Sequence, residues 1–161
     1  MATEVLVRET VSELQKKALT ISQLTEAGRI LLNALALKNL RGDYPELSIL
    51  LTDDSEIKEL NSKFRNKDMA TDVLSFPMTE GESGGVEAQS LGDVVISLET
   101  ARVQAKELNV SLADETLRLL VHGVLHLVGY EHENVSKEKA LEMESREQEL
   151  FELTVEKLGL S

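Results

Sequence analysis

The chain has 161 residues, enough to bury its own core as one domain spanning residues 1–161, and it carries 29 Asp and Glu against 17 Lys and Arg, a formal charge of −12. That balance argues against a broad basic surface coating duplex nucleic acid, and an aromatic content of 3% argues against a sheet of base-stacking rings. With no cysteine, it can build no disulfide, thiolate metal site or thiol nucleophile.

In chain order, "EVLVRE" alternates as a short strand. The first twenty residues include early acids and no apolar run suited to a signal peptide, and no later segment reaches the length of a membrane span. A cytoplasmic protein without membrane contact is expected. Leu24, Ala27, Leu31, Ala34 and Leu35 form an apolar stripe that predicts a helix over 22–40, stopped by "RGDYP". "ELSILLT" reads as a buried strand, and "DDSEIKELNSKF" as a helix capped by Asp53 or Asp54. "TDVLSFP" and "SLGDVVISL" are two further strands, and the aperiodic "MTEGESGGVEAQ" between them is expected to be a mobile loop.

From Ser97 onward the periodicity is helical: "LETARVQAKEL", "SLADETLRLLVHGVLHLVG" and the glutamate-rich "SKEKALEMESREQELFELTVEKLGL". The acids of the last helix read as a solvated face beside an apolar stripe of Leu150, Phe151, Val155 and Leu158. The sum is an α+β fold, a small mixed sheet of about four strands packed with about five helices.

All three histidines fall in "HGVLHLVGYEH", as His122, His126 and His132. A spacing of four residues stacks His122 and His126 on one helix face, about 40° apart. Gly129 suits the left-handed cap that ends the helix and turns the chain back, so His132 can reach the same point. On a helical wheel Ala113, Leu117, Leu120, Val124 and Leu127 lie opposite His122, whose own side carries Glu115 and Arg118. A core histidine belongs on the apolar arc, so metal binding is the expectation. Three imidazoles at about 2.0–2.1 Å leave a tetrahedral ion one open position, as in a catalytic zinc site. Nickel or copper would accept the same donors, and Glu131 or Glu133 is placed to close the fourth position.

The spacing is similar to that of the zincin-like metzincin proteases, H-E-x-x-H-x-x-G-x-x-H. The general base of those enzymes follows the first histidine, and here that position is Gly123. Peptide hydrolysis is therefore disfavoured, whereas a site of three neutral ligands keeps its positive charge for an anion such as phosphate.

Together with "NSKFRNKDMATDVLSFP" (Asn61 to Pro77) and "LGDVVIS" (Leu91 to Ser97), the histidine motif resembles the YbeY family of bacterial and organellar endoribonucleases, in the same order from about Leu47 onward. The resemblance implies a metal-dependent, single-strand-specific endoribonuclease acting on ribosomal RNA, notably in 3′-end maturation of the small-subunit RNA, and in ribosome quality control. It implies Zn2+ on His122, His126 and His132, and a catalytic role for Arg65, with the ribosome or small ribosomal subunit as partner. Lys63, Arg65 and Lys67 form the basic stretch expected to contact RNA, and the Arg65 fork suits a phosphate. Two departures from the family pattern are Glu131, where aspartate is common, and Ala70, where proline often precedes "TDVLSF"; the second is expected to loosen the turn. The alternative is a non-catalytic, zinc-stabilised factor that binds the ribosome, a reading the acidic charge and the missing base favour.

Overall fold

The computed structural model describes residues 3–37, 42–78, 90–131 and 134–160. Four strands, β1 (Thr3–Val7), β2 (Glu46–Thr52), β3 (Val73–Pro77) and β4 (Ser90–Ser97), form one mixed sheet in the order β1-β2-β4-β3. β2 runs parallel to β1 and β4, and β3 pairs antiparallel with β4 at the sheet's edge. Six α-helices surround it: α1 (Ser12–Ala18), α2 (Ile21–Ala34), α3 (Asp54–Arg65), α4 (Leu98–Leu108), α5 (Leu112–Leu127) and α6 (Lys137–Leu158).

The alternation of side chains across the strands divides the core. Leu47, Ile49, Leu51, Val94 and Ile96 face the large layer, where α5 is buried along nearly its whole length and α2 and α6 close around it. Val95 and Leu74 face the other way and are covered by α3 through Ile57. At about 1.5–3 kcal/mol per fully buried aliphatic side chain, the larger layer supplies most of the driving force and fixes α5 against the sheet.

The α+β class and all four strands match expectation, and the described residues hold six α-helices where about five were expected. α1 is a two-turn helix whose buried residue is Gln15, with its Nε2 donating to the Leu19 carbonyl at 2.9 Å. α2 also ends earlier than the apolar stripe implied. Ala36 takes a left-handed φ of +54°, Leu37 N–H bonds back to the Leu32 carbonyl, and Arg146 of α6 donates to the Ala34 carbonyl at 3.3 Å. The end of α2 is thus set by a tertiary contact and a local reversal before "RGDYP" is reached. Asp53 caps α3, accepting from Glu56 N–H at 2.9 Å. Of the expected glycine loop, 79–89 lie outside the described residues. Among the described residues no helix is long and apolar enough to cross a membrane.

Candidate metal and phosphate site

α5 begins at Ser111, whose Oγ accepts from Asp114 N–H at 3.0 Å, and ends in a Schellman motif. Tyr130 N–H bonds to the Leu125 carbonyl and Gly129 N–H to that of His126, both at 3.1 Å, with Gly129 at φ +100°. The cap expected of Gly129 is therefore formed, and the same helical turn that presents His126 reverses the chain.

His122 and His126 come together as the four-residue spacing requires. Their Nε2 atoms are 3.1 Å apart, and the side chain of His122 is 24% exposed. Two ligands of one tetrahedral ion at about 2.0–2.1 Å stand about 3.3 Å apart, so the pair is spaced to share an ion. His132 lies outside the described residues, and among those described no group of three or more histidines and carboxylates is gathered around one point.

Glu147 lies outside the motifs that mark the site in the sequence. Its Oε1 lies 2.8 Å from His122 Nδ1, and its side chain is 19% exposed. An ionised carboxylate accepts only, so it places the proton on Nδ1 and leaves the Nε2 lone pair toward His126. This is the carboxylate–histidine arrangement that orients metal ligands. The acidic final helix is thus not a solvated face throughout: Glu147 shares a stripe with the buried Met143, Leu150 and Thr154. A carboxylate at a position where the helical period calls for an apolar residue was the available signal.

Gly123 faces the sheet. A Cβ there would stand 2.6 Å from Val94 Cγ1, and the Gly123 carbonyl accepts from Ser75 Oγ at 2.8 Å. No glutamate fits at this position, so the absence of a metzincin-type base follows from how α5 packs on β3 and β4.

Both histidines line a cleft of about 750 Å³ together with Arg65, Lys67, Asp72 and Glu131. Arg65 ends α3 and reaches the free edge of β3, where Nη2 donates to the Ser75 carbonyl and the guanidinium lies 4.7 Å from the Phe76 ring centroid. Lys63 does not line this cleft; its ammonium is 5.3 Å from the Phe64 ring. The loop carrying Lys67 is held by the buried Asn61, whose Nδ2 donates to the Met69 carbonyl at 2.9 Å. Asp72 accepts from Val73 N–H at 2.8 Å and from Gln104, while its carbonyl accepts from Ser97 N–H. Ala70 therefore sits in a turn secured by side chains on either side of it.

Glu115, placed by the wheel on the histidine face, is only 3% exposed. Burial pushes its carboxyl above the usual range, with Arg118 opposing the shift and Asp72 and Glu147 adding to it. Its Oε1 has no hydrogen-bond partner among the described residues.

A family profile described as "Endoribonuclease YbeY" matches residues 10–154. A protein called Endoribonuclease YbeY from Aquifex aeolicus is 48% identical over 127 residues, 79% of each chain. One of the same name from Persephonella marina is 50% identical over 116 residues, 72% of this chain and 74% of that one. The solution structure of a Thermotoga maritima protein aligns with a TM-score of 0.60 at 26% identity, covering 96% of this chain and 90% of the other.

Proposed function

Because the chain belongs to the Endoribonuclease YbeY family, we propose that it is a zinc-dependent hydrolase of phosphodiester bonds in single-stranded ribosomal RNA. In this reading it works in the cytoplasm on the ribosome or small ribosomal subunit, in 3′-end maturation of the small-subunit RNA and in ribosome quality control. The observation that carries it is the approach of His122 Nε2 to His126 Nε2, 3.1 Å, inside a cleft that also holds Arg65 and Lys67.

His122 and His126, with His132 as the third ligand, would hold the ion. When bound, it supplies Lewis-acid charge to the scissile phosphate. Glu147 fixes the tautomer and orientation of His122 through Nδ1. Arg65 is steadied by the Phe64 and Ser75 carbonyls, and its remaining donors turn to a phosphate oxygen and to the charge that grows on it during cleavage. Lys67 adds a second positive charge along the strand. Few cations line the cleft of an otherwise acidic protein, which suits selection of its substrate by the ribosome rather than by bulk electrostatics.

The test is cleavage of single-stranded ribosomal RNA by metal-replete protein beside the His122→Ala and Arg65→Ala variants. Both variants are expected to lose cleavage. The product ends identify the nucleophile: a 2′,3′-cyclic phosphate reports attack by the RNA's own 2′-hydroxyl, and a linear end reports water. Cleavage by His122→Ala at the wild-type rate would overturn the proposal.

A further inference from the structure

The neighbourhood of Arg65 holds two aromatic rings: Phe76, which packs against the core layer of Ile57, Leu74 and Val95, and Phe64, which belongs to neither core layer. Phe64 has 52% of its surface in solvent, in a chain with only three phenylalanines. Its ring meets Phe76 edge to face, with centroids 5.5 Å apart and an interplanar angle of 70°. Each ring carries a cation: Lys63 stands over Phe64 at 5.3 Å and Arg65 over Phe76 at 4.7 Å.

A run of single contacts joins this pair to the histidines. Phe64 touches Phe76, Phe76 lies under Arg65, Arg65 donates to the Ser75 carbonyl, and Ser75 Oγ donates to the carbonyl of Gly123, next to His122. Neither ring lines the cleft, but Arg65 and Ser75 do, and through them the aromatic pair is joined to it.

An exposed ring costs solubility, and a plain hydrophobic contact would bury it. Cations set on a pair of rings form instead the surface on which an unpaired nucleobase stacks while its phosphate meets the charge. Lys63, which does not line the cleft, gains a place in this arrangement as the cation over Phe64.

We propose that Phe64, backed by Phe76 and flanked by Lys63 and Arg65, is a stacking shelf for the unpaired base next to the phosphate held by Arg65. The inference rests on the endoribonuclease reading and supplies a physical basis for single-strand preference, since a base within a duplex already has both faces stacked and cannot lie on Phe64. Stacking is tolerant of base identity, so the shelf selects for an unpaired nucleotide rather than for a sequence.

The test uses metal-replete full-length protein. In single-turnover cleavage of an oligoadenylate, Phe64→Ala is expected to raise the half-saturating protein concentration about 5- to 100-fold, with much less effect on the plateau rate. A fully abasic strand of the same length, added as competitor, should inhibit wild type and Phe64→Ala equally, because only the phosphates remain. The chain has no tryptophan, so Phe64→Trp places a single reporter on the shelf. Stopped-flow fluorescence should show quenching by oligoadenylate and none by the abasic strand. Unchanged half-saturation in Phe64→Ala, or an unquenched Phe64→Trp that still cuts the oligoadenylate, would overturn the shelf alone. A wild-type protein that cuts no single strand would overturn the endoribonuclease reading and the shelf with it.

Discussion

Glu147 Oε1 lies 2.8 Å from His122 Nδ1, which ties the final helix to the candidate metal site and sets which imidazole nitrogen is left for a metal. Glu147→Ala is expected to weaken zinc binding about 10- to 100-fold, with Glu147→Gln in between because its amide oxygen still accepts from Nδ1–H. Competition against a chelator of known affinity measures this. Zinc affinity unchanged in both variants would leave Glu147 as a helix-packing contact.

Gly123→Ala is expected to destabilise the protein by about 1–3 kcal/mol, because the added methyl meets Val94 Cγ1 at 2.6 Å across the interface of α5 with the sheet. Thermal melts should show a fall of about 2–4 °C per kcal/mol for a domain of this size. Gly123→Glu should fail to fold and should confer no peptidase activity.

Arg65→Ala should lower single-turnover cleavage about 10²- to 10³-fold, the usual loss when one donor to developing charge is removed. Arg65→Lys should recover only part of it, since an ammonium cannot reproduce the bridge from the Ser75 carbonyl to a phosphate. Zinc content should stay at the wild-type level in both. Equal cleavage by wild type and Arg65→Ala would remove Arg65 from the reaction.

Stability should depend on pH from two directions. Glu56 is held below the usual carboxylate range by its hydrogen bonds from Arg8 and then Thr52, and Asp53 by the backbone N–H of Glu56 and the Thr10 hydroxyl. Both contribute stability above their unfolded values and lose it as pH falls through the folded ones, modestly, because the Arg8–Glu56 pair is partly exposed. Glu115 has the opposite sign. Its raised folded pKa means that the native state holds the proton more tightly, so its contribution is full below the unfolded value near 4.5 and declines as pH rises toward the folded value. Melting temperatures of wild type and Glu115→Gln across this range should diverge in favour of the variant as pH rises, and a difference that stays constant with pH would contradict the buried-acid assignment.

Much of this architecture was legible because the signals were local. The alternation in "ELSILLT" and the stripe through Leu117, Leu120 and Val124 mark elements that are buried on defined faces. The four-residue spacing of His122 and His126 needs only helix geometry to bring two nitrogens together. What was not legible depends on contacts between distant segments. α1 is two turns long and buries a glutamine, too little to register as a period. α2 stops where Arg146, 112 residues away, takes the Ala34 carbonyl. Glu147 sits in a helix crowded with glutamates, and only the packing of α6 against α5 distinguishes the one that meets a histidine. Lys63 and Arg65, two residues apart and both cationic, diverge because one lies over Phe64 and the other reaches Ser75.

The central claim, a metal held by the histidines of α5 in the service of RNA cleavage, is tested most directly by metal analysis of the protein as purified, paired with cleavage of single-stranded ribosomal RNA by wild type, His122→Ala and Arg65→Ala. The account predicts about one zinc per chain in wild type and Arg65→Ala, none in His122→Ala, and full-rate cleavage by wild type alone, with Arg65→Ala slowed about 10²- to 10³-fold. Cleavage by His122→Ala or by metal-free protein at the wild-type rate would contradict it.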